Sequence, residues 1–172
     1  MSEGKHHEIE RKYLIRYPDI ALLQSQSGCE KWEIVQIYLA ETEPGLVRRI
    51  RQVTFNGEMK YYKTYKRRLS NLTAEEDEGE ISQFEYIKFT REGDAGRRPI
   101  SKVRYRIPYE GRILEFDVNP FWDDRAILEI ELESEEEVPA IPDYVQIIRD
   151  VSSEPEYKNR MLAVKIPHEA IE

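Results

Sequence analysis

Polar and apolar residues alternate with a period of two over most of the chain. Glu8-Ile9-Glu10-Arg11-Lys12-Tyr13-Leu14-Ile15 alternate until Pro18 ends the run, the pattern of a half-buried strand. Further strands are predicted over Lys31–Ala40, Leu46–Phe55 and Glu58–Arg68, then Ile100–Pro108, Arg112–Val118 and Ala126–Glu133. Turn residues punctuate them: Pro44-Gly45, Asn56-Gly57, Tyr109-Glu110-Gly111 and Phe121–Arg125. Asn-Gly is the strongest hairpin signal, because both central residues of a type I′ turn need positive φ. Short helices are predicted over Ile20–Gln26, over Ile81–Arg91 before Gly93, and over Glu156–Val164 after Pro155. Ser70–Glu80 reads as a polar loop leading into a short strand. Seven or so strands joined by hairpin-length connections imply an antiparallel sheet, either sandwiched or closed into a barrel.

The alternation carries charge in an ordered way. Successive strand residues point to opposite faces, so Glu8, Glu10 and Lys12 share a face, as do Arg49 and Arg51. Tyr62, Thr64 and Lys66 line up, as do Lys102, Arg104 and Arg106, then Glu115 and Asp117, then Glu129, Glu131 and Glu133. The opposite faces carry Ile50, Val103, Tyr105, Leu114, Phe116, Leu128, Ile130 and Leu132. A charged face in water is the ordinary reading of each strand alone. Acidic and basic residues segregate by strand, however, and a long antiparallel sheet tends to close so that one face becomes an interior. Charges facing that interior need partners. A polyanion with a divalent cation satisfies both signs: carboxylates suit Mg²⁺ or Mn²⁺, and Arg and Lys grip phosphate.

Composition narrows the classes. The chain of 172 residues suits one domain spanning 1–172, and a hydrophobic fraction of 40% supports a folded core. A net charge of -8 argues against general nucleic-acid binding, while leaving room for a basic pocket. One cysteine, Cys29, excludes an internal disulfide. The polar start (Met1 to Lys5) lacks a signal-peptide run, and no apolar stretch is long enough to span a bilayer. A cytoplasmic protein without nucleic-acid or membrane partners is the expectation, with a homodimer as one option for its assembly.

These residues resemble the CYTH domain, the family of triphosphate tunnel metalloenzymes. Glu8-Ile9-Glu10-Arg11-Lys12 matches its Glu-x-Glu-x-Lys strand, Arg49-Ile50-Arg51 its paired arginines and Thr64-Tyr65-Lys66 its Thr-x-Lys strand. Lys102-Val103-Arg104, Glu115-Phe116-Asp117 and Glu129-Ile130-Glu131 follow in order, and Tyr157-Lys158-Asn159 through Leu162-Ala163 resembles the C-terminal helix. The resemblance implies a mainly β fold, a closed eight-stranded antiparallel barrel forming a tunnel with short flanking helices. It implies that Glu8, Glu10, Asp117, Glu129 and Glu131 hold Mg²⁺ or Mn²⁺, with Glu8, Glu10 and Lys12 catalytic. Lys12, Arg49, Arg51, Lys66, Lys102 and Arg104 would then bind the phosphates of a small-molecule triphosphate. The implied reaction is hydrolysis, with inorganic triphosphate favoured over nucleoside triphosphates. A class IV adenylate cyclase, a thiamine triphosphatase and a noncatalytic polyphosphate-binding module remain open.

Two departures stand out. Aligning the family's fifth-strand Glu-x-Glu to Glu76-Asp77-Glu78 puts Ala74 where many members have Arg, so a basic contact is missing or comes from Arg67 or Arg68. The usual Glu before the C-terminal helix is Asp150. Arg67 and Arg68 otherwise read as solvated, as do His6 and His7 near the chain start. Cys29 reads as a structural thiol, with no His or Asn placed to activate it.

Overall fold

The computed structural model describes residues 4–171, so the expectation for Met1 to Glu3 lies outside the described residues. Within these residues nine strands and three short helices follow in order. They are β1 (Gly4–Arg16), α1 (Ile20–Ser25), β2 (Glu30–Tyr38), β3 (Leu46–Phe55), β4 (Glu58–Arg68), β5 (Thr73–Ile81) and α2 (Gln83–Thr90). After these come β6 (Ile100–Tyr109), β7 (Arg112–Val118), β8 (Arg125–Glu131), β9 (Ile147–Asp150), a 3-10 turn (Pro155–Tyr157) and α3 (Asn159–Leu162).

Local chemistry explains the turns and helix starts. Asn56 and Gly57 adopt φ of 51° and 75°, and Glu110 and Gly111 adopt 49° and 76°, which matches the twist of the strands they join. Asp19 caps α1 by accepting from Leu22 N–H. Ser82 and Glu85 form a reciprocal capping box on α2. That cap ends β5 at Ile81, so the helix starts two residues later than its periodicity suggests. Ser70–Glu80 yields a nine-residue strand rather than a loop with a stub. The tail is broken, because Lys158 is extended (ψ 142°) between the 3-10 turn and α3. Strand β9 has no counterpart among the strands that alternation predicts.

Eight strands close into an antiparallel barrel in the order β1-β5-β4-β3-β2-β6-β7-β8. Strand β1 is the seam. Its first half pairs with β5 from Gly4↔Glu78 to Ile9↔Thr73, and its second half pairs with β8 from Glu10↔Glu131 to Arg16↔Arg125. Strand β9 adds to β1 beyond β5, through Tyr13↔Asp150 and Leu14↔Arg149.

The barrel is apolar outside and charged inside. Tyr105, Ile107, Leu114, Phe116, Leu128 and Ile130 point outward and are covered by Leu23 of α1 and by Ile141, Tyr144 and Val145. Ile50 and Tyr61 are covered by Tyr86 of α2. At one end the inward positions turn apolar: Leu14, Tyr38, Ile100 and Ile127 pack against Trp122, Tyr157, Leu162 and Ala163. The C-terminal segment thereby plugs that end of the barrel.

Leu128 is fully buried in the outer core. Leu128→Ala should lower stability by about 2–5 kcal/mol, seen as a lower urea midpoint at unchanged slope.

Candidate active site

Inward-facing residues enclose a cavity of about 540 Å³ within the barrel. Among the described residues, eight Lys or Arg side chains and seven Glu side chains line it, together with His6, Thr64 and Asn159. The two signs nearly balance, so an acidic chain can hold a strongly charged interior. Their arrangement follows strand order. Glu76 and Glu78 of β5, Glu8 and Glu10 of β1, and Glu129 and Glu131 of β8 form an acidic arc over three neighbouring strands. Lys66 and Arg68 of β4, Arg49 and Arg51 of β3, and Arg104 of β6 form the basic arc.

Several of these charges pair. Lys66 Nζ donates to Glu8 Oε1 at 2.8 Å, and Lys12 Nζ lies 3.5 Å from Glu129. Arg104 reaches within 3.6 Å of Glu129. Thr64 Oγ1 donates to Glu78 at 2.6 Å, and Arg51 Nε donates to Gln36 Oε1 at 3.2 Å. Other groups are left over. Arg49 Nε and Glu76 Oε2 are buried with no hydrogen-bond partner among the described residues, a state that costs about 1–3 kcal/mol per group or more when charged.

The proton affinities reflect these imbalances. Burial, then Glu129 and Glu8, push the Glu10 carboxyl up to about 8. Burial and neighbouring acids also raise Glu76 and Glu131. Glu8 and Glu129 lie below their ordinary value despite burial, because Lys66 and Arg49 face the first and Lys12, Arg104 and Lys102 the second. Burial followed by Arg68 and Lys12 pulls the Lys158 amine down to about 8.

Nine of the eleven residues assigned by sequence come together here: Glu8, Glu10, Lys12, Arg49, Arg51, Lys66, Arg104, Glu129 and Glu131. Lys102 and Asp117 are not among the residues bordering the cavity; they pair with each other at 2.7 Å inside the barrel, next to Arg104 and Asn159 of the lining. Arg68, expected in solvent, is exposed and stands at the edge of the cavity lining, opposite Ala74 in the β4–β5 register. Arg67 points out and pairs with Glu43 at 2.5 Å. His6 is half exposed at the lining, 3.8 Å from Glu76. Asp150 accepts from Ser152 N–H and Arg11. Cys29 is a free thiol whose pKa is raised by burial. Lys158 and Arg160 also line the cavity, although sequence reasoning gives neither a role. Their irregular segment carries no strand parity that could flag them.

The carboxylate oxygens of the acidic arc have the chemistry of a Mg²⁺ or Mn²⁺ donor set. Among the described residues no three His, Cys, Asp or Glu side chains stand at ligand spacing. Glu8 and Glu129 turn toward Lys66 and Lys12 instead, contacts that an entering cation would exchange. Also among the described residues, no helix is long and apolar enough to cross a membrane.

Closed antiparallel topology and a lining divided by charge define a β-tunnel protein. The CYTH domain model matches residues 6–163, and the chain belongs to that family. The inorganic triphosphatase NE1496 is similar in structure, with 25% identity, a TM-score of 0.56, and 93% of this chain and 96% of that chain covered. A conserved hypothetical protein from Pyrococcus furiosus shows 28% identity and a TM-score of 0.57 over 75% of this chain and 80% of that one. The putative adenylyl cyclase HpAC1 from Hippeastrum, described as having a dominant triphosphatase activity, shares the fold at 21% identity. Its TM-score is 0.51, with 75% of this chain and 81% of that chain covered. No curated protein is a significant match.

Glu10 generates a pH prediction. Its carboxyl holds a proton in the folded protein up to about pH 8, against 4.5 as its ordinary value. The folded state therefore binds more protons between these limits, and stability falls as pH rises through them. Glu10→Gln should stabilise the metal-free protein by roughly 1–3 kcal/mol at pH 9, the cavity's solvent reducing the full effect. The gain should shrink toward pH 5, as read from urea melts at both pH values.

Proposed function

We propose that the protein is a divalent-metal-dependent triphosphatase that hydrolyses a small-molecule triphosphate, inorganic triphosphate first among them, within its β-tunnel. The observation carrying this reading is the pair of acidic and basic arcs, in which, among the described residues, Arg49 Nε and Glu76 Oε2 lack hydrogen-bond partners. A polyphosphate meets the basic arc and a hard cation meets the acidic arc. Likeness to NE1496 at 25% identity supports hydrolysis over binding alone. The described lining is rich in phosphate-binding groups, which favours the inorganic substrate.

In this reading Arg49, Arg51, Arg104, Lys66 and Lys12 hold phosphate oxygens, joined by Arg68 and Lys158. Their positions are set by strand register before substrate arrives, so little reorganisation accompanies charge development in the transition state. Glu8, Glu10, Glu129 and Glu131 would hold Mg²⁺ or Mn²⁺, which when bound neutralises phosphate charge and makes water a stronger nucleophile. Arg49, whose Nε has a bond still to make, has the greatest capacity to strengthen its contacts as charge builds on the phosphoryl group.

Purified protein should release phosphate from tripolyphosphate with Mg²⁺ or Mn²⁺, faster than from ATP or thiamine triphosphate. Loss of one charged donor of this kind costs about 10²–10³ in turnover, and Arg49→Ala should fall in that range while keeping its melting temperature. No phosphate from any of the three substrates with either metal would remove the hydrolase reading. Tight binding without turnover would select the noncatalytic module, and cyclic AMP from ATP the cyclase. Glu10→Ala and Lys12→Ala should each abolish turnover in folded protein; activity surviving both would place the reaction elsewhere.

A further inference from the structure

We infer that Glu169 is a positioning residue. The tail from Val164 to Glu169 straps the plugged end of the barrel, and the Glu169 carboxylate holds Tyr157 so that the adjoining Lys158 and Arg160 stand in the tunnel. The CYTH model ends at residue 163, so the strap lies beyond the part of the chain that defines the family. It starts from the segment before β6, where Arg98 N–H donates to the Ala163 carbonyl at 2.9 Å and Arg98 NH2 to the Val164 carbonyl at 3.4 Å. Ile166 then packs against the apolar plug. From Lys165 on the tail forms neither helix nor strand, and polar groups of the barrel end hold it instead. Trp122 Nε1 donates to the Pro167 carbonyl at 2.9 Å, and Arg125 NH2 donates to the Glu169 carbonyl. The Glu169 carboxylate accepts from the Tyr157 hydroxyl and, at 2.7 Å, from Arg149 NH2.

These contacts differ in weight. Trp122 and Tyr157 are 4% and 1% exposed, and their ring centroids lie 6.0 Å apart. Each is a large apolar body with one polar group, which is costly to bury without a partner. The tail supplies an acceptor to both. The Arg149–Glu169 pair is half exposed and contributes little by itself. Arg149 is fixed, however, by two bonds of 2.9 Å to Glu154, and its guanidinium stands 5.4 Å from the centre of the Tyr157 ring. It therefore orients the Glu169 carboxylate over Tyr157. Strand β9, which alternation does not predict, is what carries Arg149 to this place. Tyr157 closes the 3-10 turn, and Lys158 follows it directly. With the Tyr157 ring packed on Trp122 and its hydroxyl tied to Glu169, the point where the chain leaves the turn is fixed, and Lys158 and Arg160 enter the lining from there.

Hydrogen–deuterium exchange on the ligand-free protein tests the strap. Glu169→Ala and Tyr157→Phe should each speed exchange of residues 157–164 by about tenfold, the weight of one charge-assisted hydrogen bond, with β3 and β4 unchanged. The double variant should exchange no faster than either single one, because both remove the same bond. Glu169→Gln keeps an acceptor for Tyr157 and loses only the half-exposed ion pair, so exchange should return to within about threefold of the parent. The Glu169 side chain is 47% exposed, so its replacement leaves the core intact even if Tyr157→Phe lowers stability. Unchanged exchange in Glu169→Ala, or additive effects in the double variant, would overturn the strap. Steady-state kinetics with tripolyphosphate and Mn²⁺ form an arm that rests on the proposed function. Glu169→Ala should raise KM by about fivefold or more while kcat stays within about twofold, and Glu169→Gln should recover the parent KM. An unchanged KM in a variant whose exchange has accelerated would overturn the positioning role. A parent without turnover would remove the proposed function, while the exchange measurement would still judge the strap.

Discussion

Charged side chains turned into a barrel must find partners or water, because an ionised group taken out of water alone costs several kcal/mol. The rest of this structure follows from that constraint. Acids gather on β5, β1 and β8, and bases on β4, β3 and β6, so that each sign faces the other across the tunnel. Lys66 reaches Glu8 past β5, and Lys12 is a base within the acidic group, paired with Glu129. With the inside given to charge, apolar burial moves to the outside of the barrel. This is why α1, α2 and the Ile141–Val145 segment are needed as covers over Phe116, Leu128 and Ile50. Those short helices are the shield of an outward-facing core rather than accessories to the sheet.

Compensation inside the tunnel is incomplete, and the remainder is localised. Glu10 is pushed toward its protonated form by burial and its acidic neighbours, Lys158 toward its neutral form by burial and its basic ones. Among the described residues, Arg49 Nε and Glu76 Oε2 find no hydrogen-bond partner. Such conflicts recur at functional sites, where stability is given up for interactions that a ligand completes. Asp117 and Lys102, by contrast, bond to each other and to Arg104 and Asn159.

The two ends of the barrel differ for the same reason. Where Leu14, Tyr38, Ile100 and Ile127 replace charge at inward positions, the interior can be closed by an apolar plug, and Tyr157 and Leu162 supply it. The plug then brings Lys158, Asn159 and Arg160 to the cavity, extending the basic lining with residues distant in sequence. Lys102 reaching Asn159 joins this late segment to a central strand.

Period-two alternation, turn chemistry and the division of charge by strand are local properties, and they were legible in the sequence. From them came the strands, the Asn56-Gly57 hairpin and the shared faces of Glu8 with Glu10, Arg49 with Arg51, and Glu129 with Glu131. Parity says which residues share a face; it does not say how deep each will lie or what stands opposite. Lys102 and Arg104 have the same parity, yet only Arg104 borders the cavity, while the Lys102 amine is bonded to Asp117 and Asn159 deeper in the barrel. Arg68 shares the parity of Lys66 yet lies exposed at the edge of the lining, a depth that parity does not specify. Lys158 and Arg160 joined the lining because an irregular tail docks on an apolar end. Strand faces were set by the order of residues along the chain. Depth, register and the closing of the barrel were set by packing between segments far apart in that order.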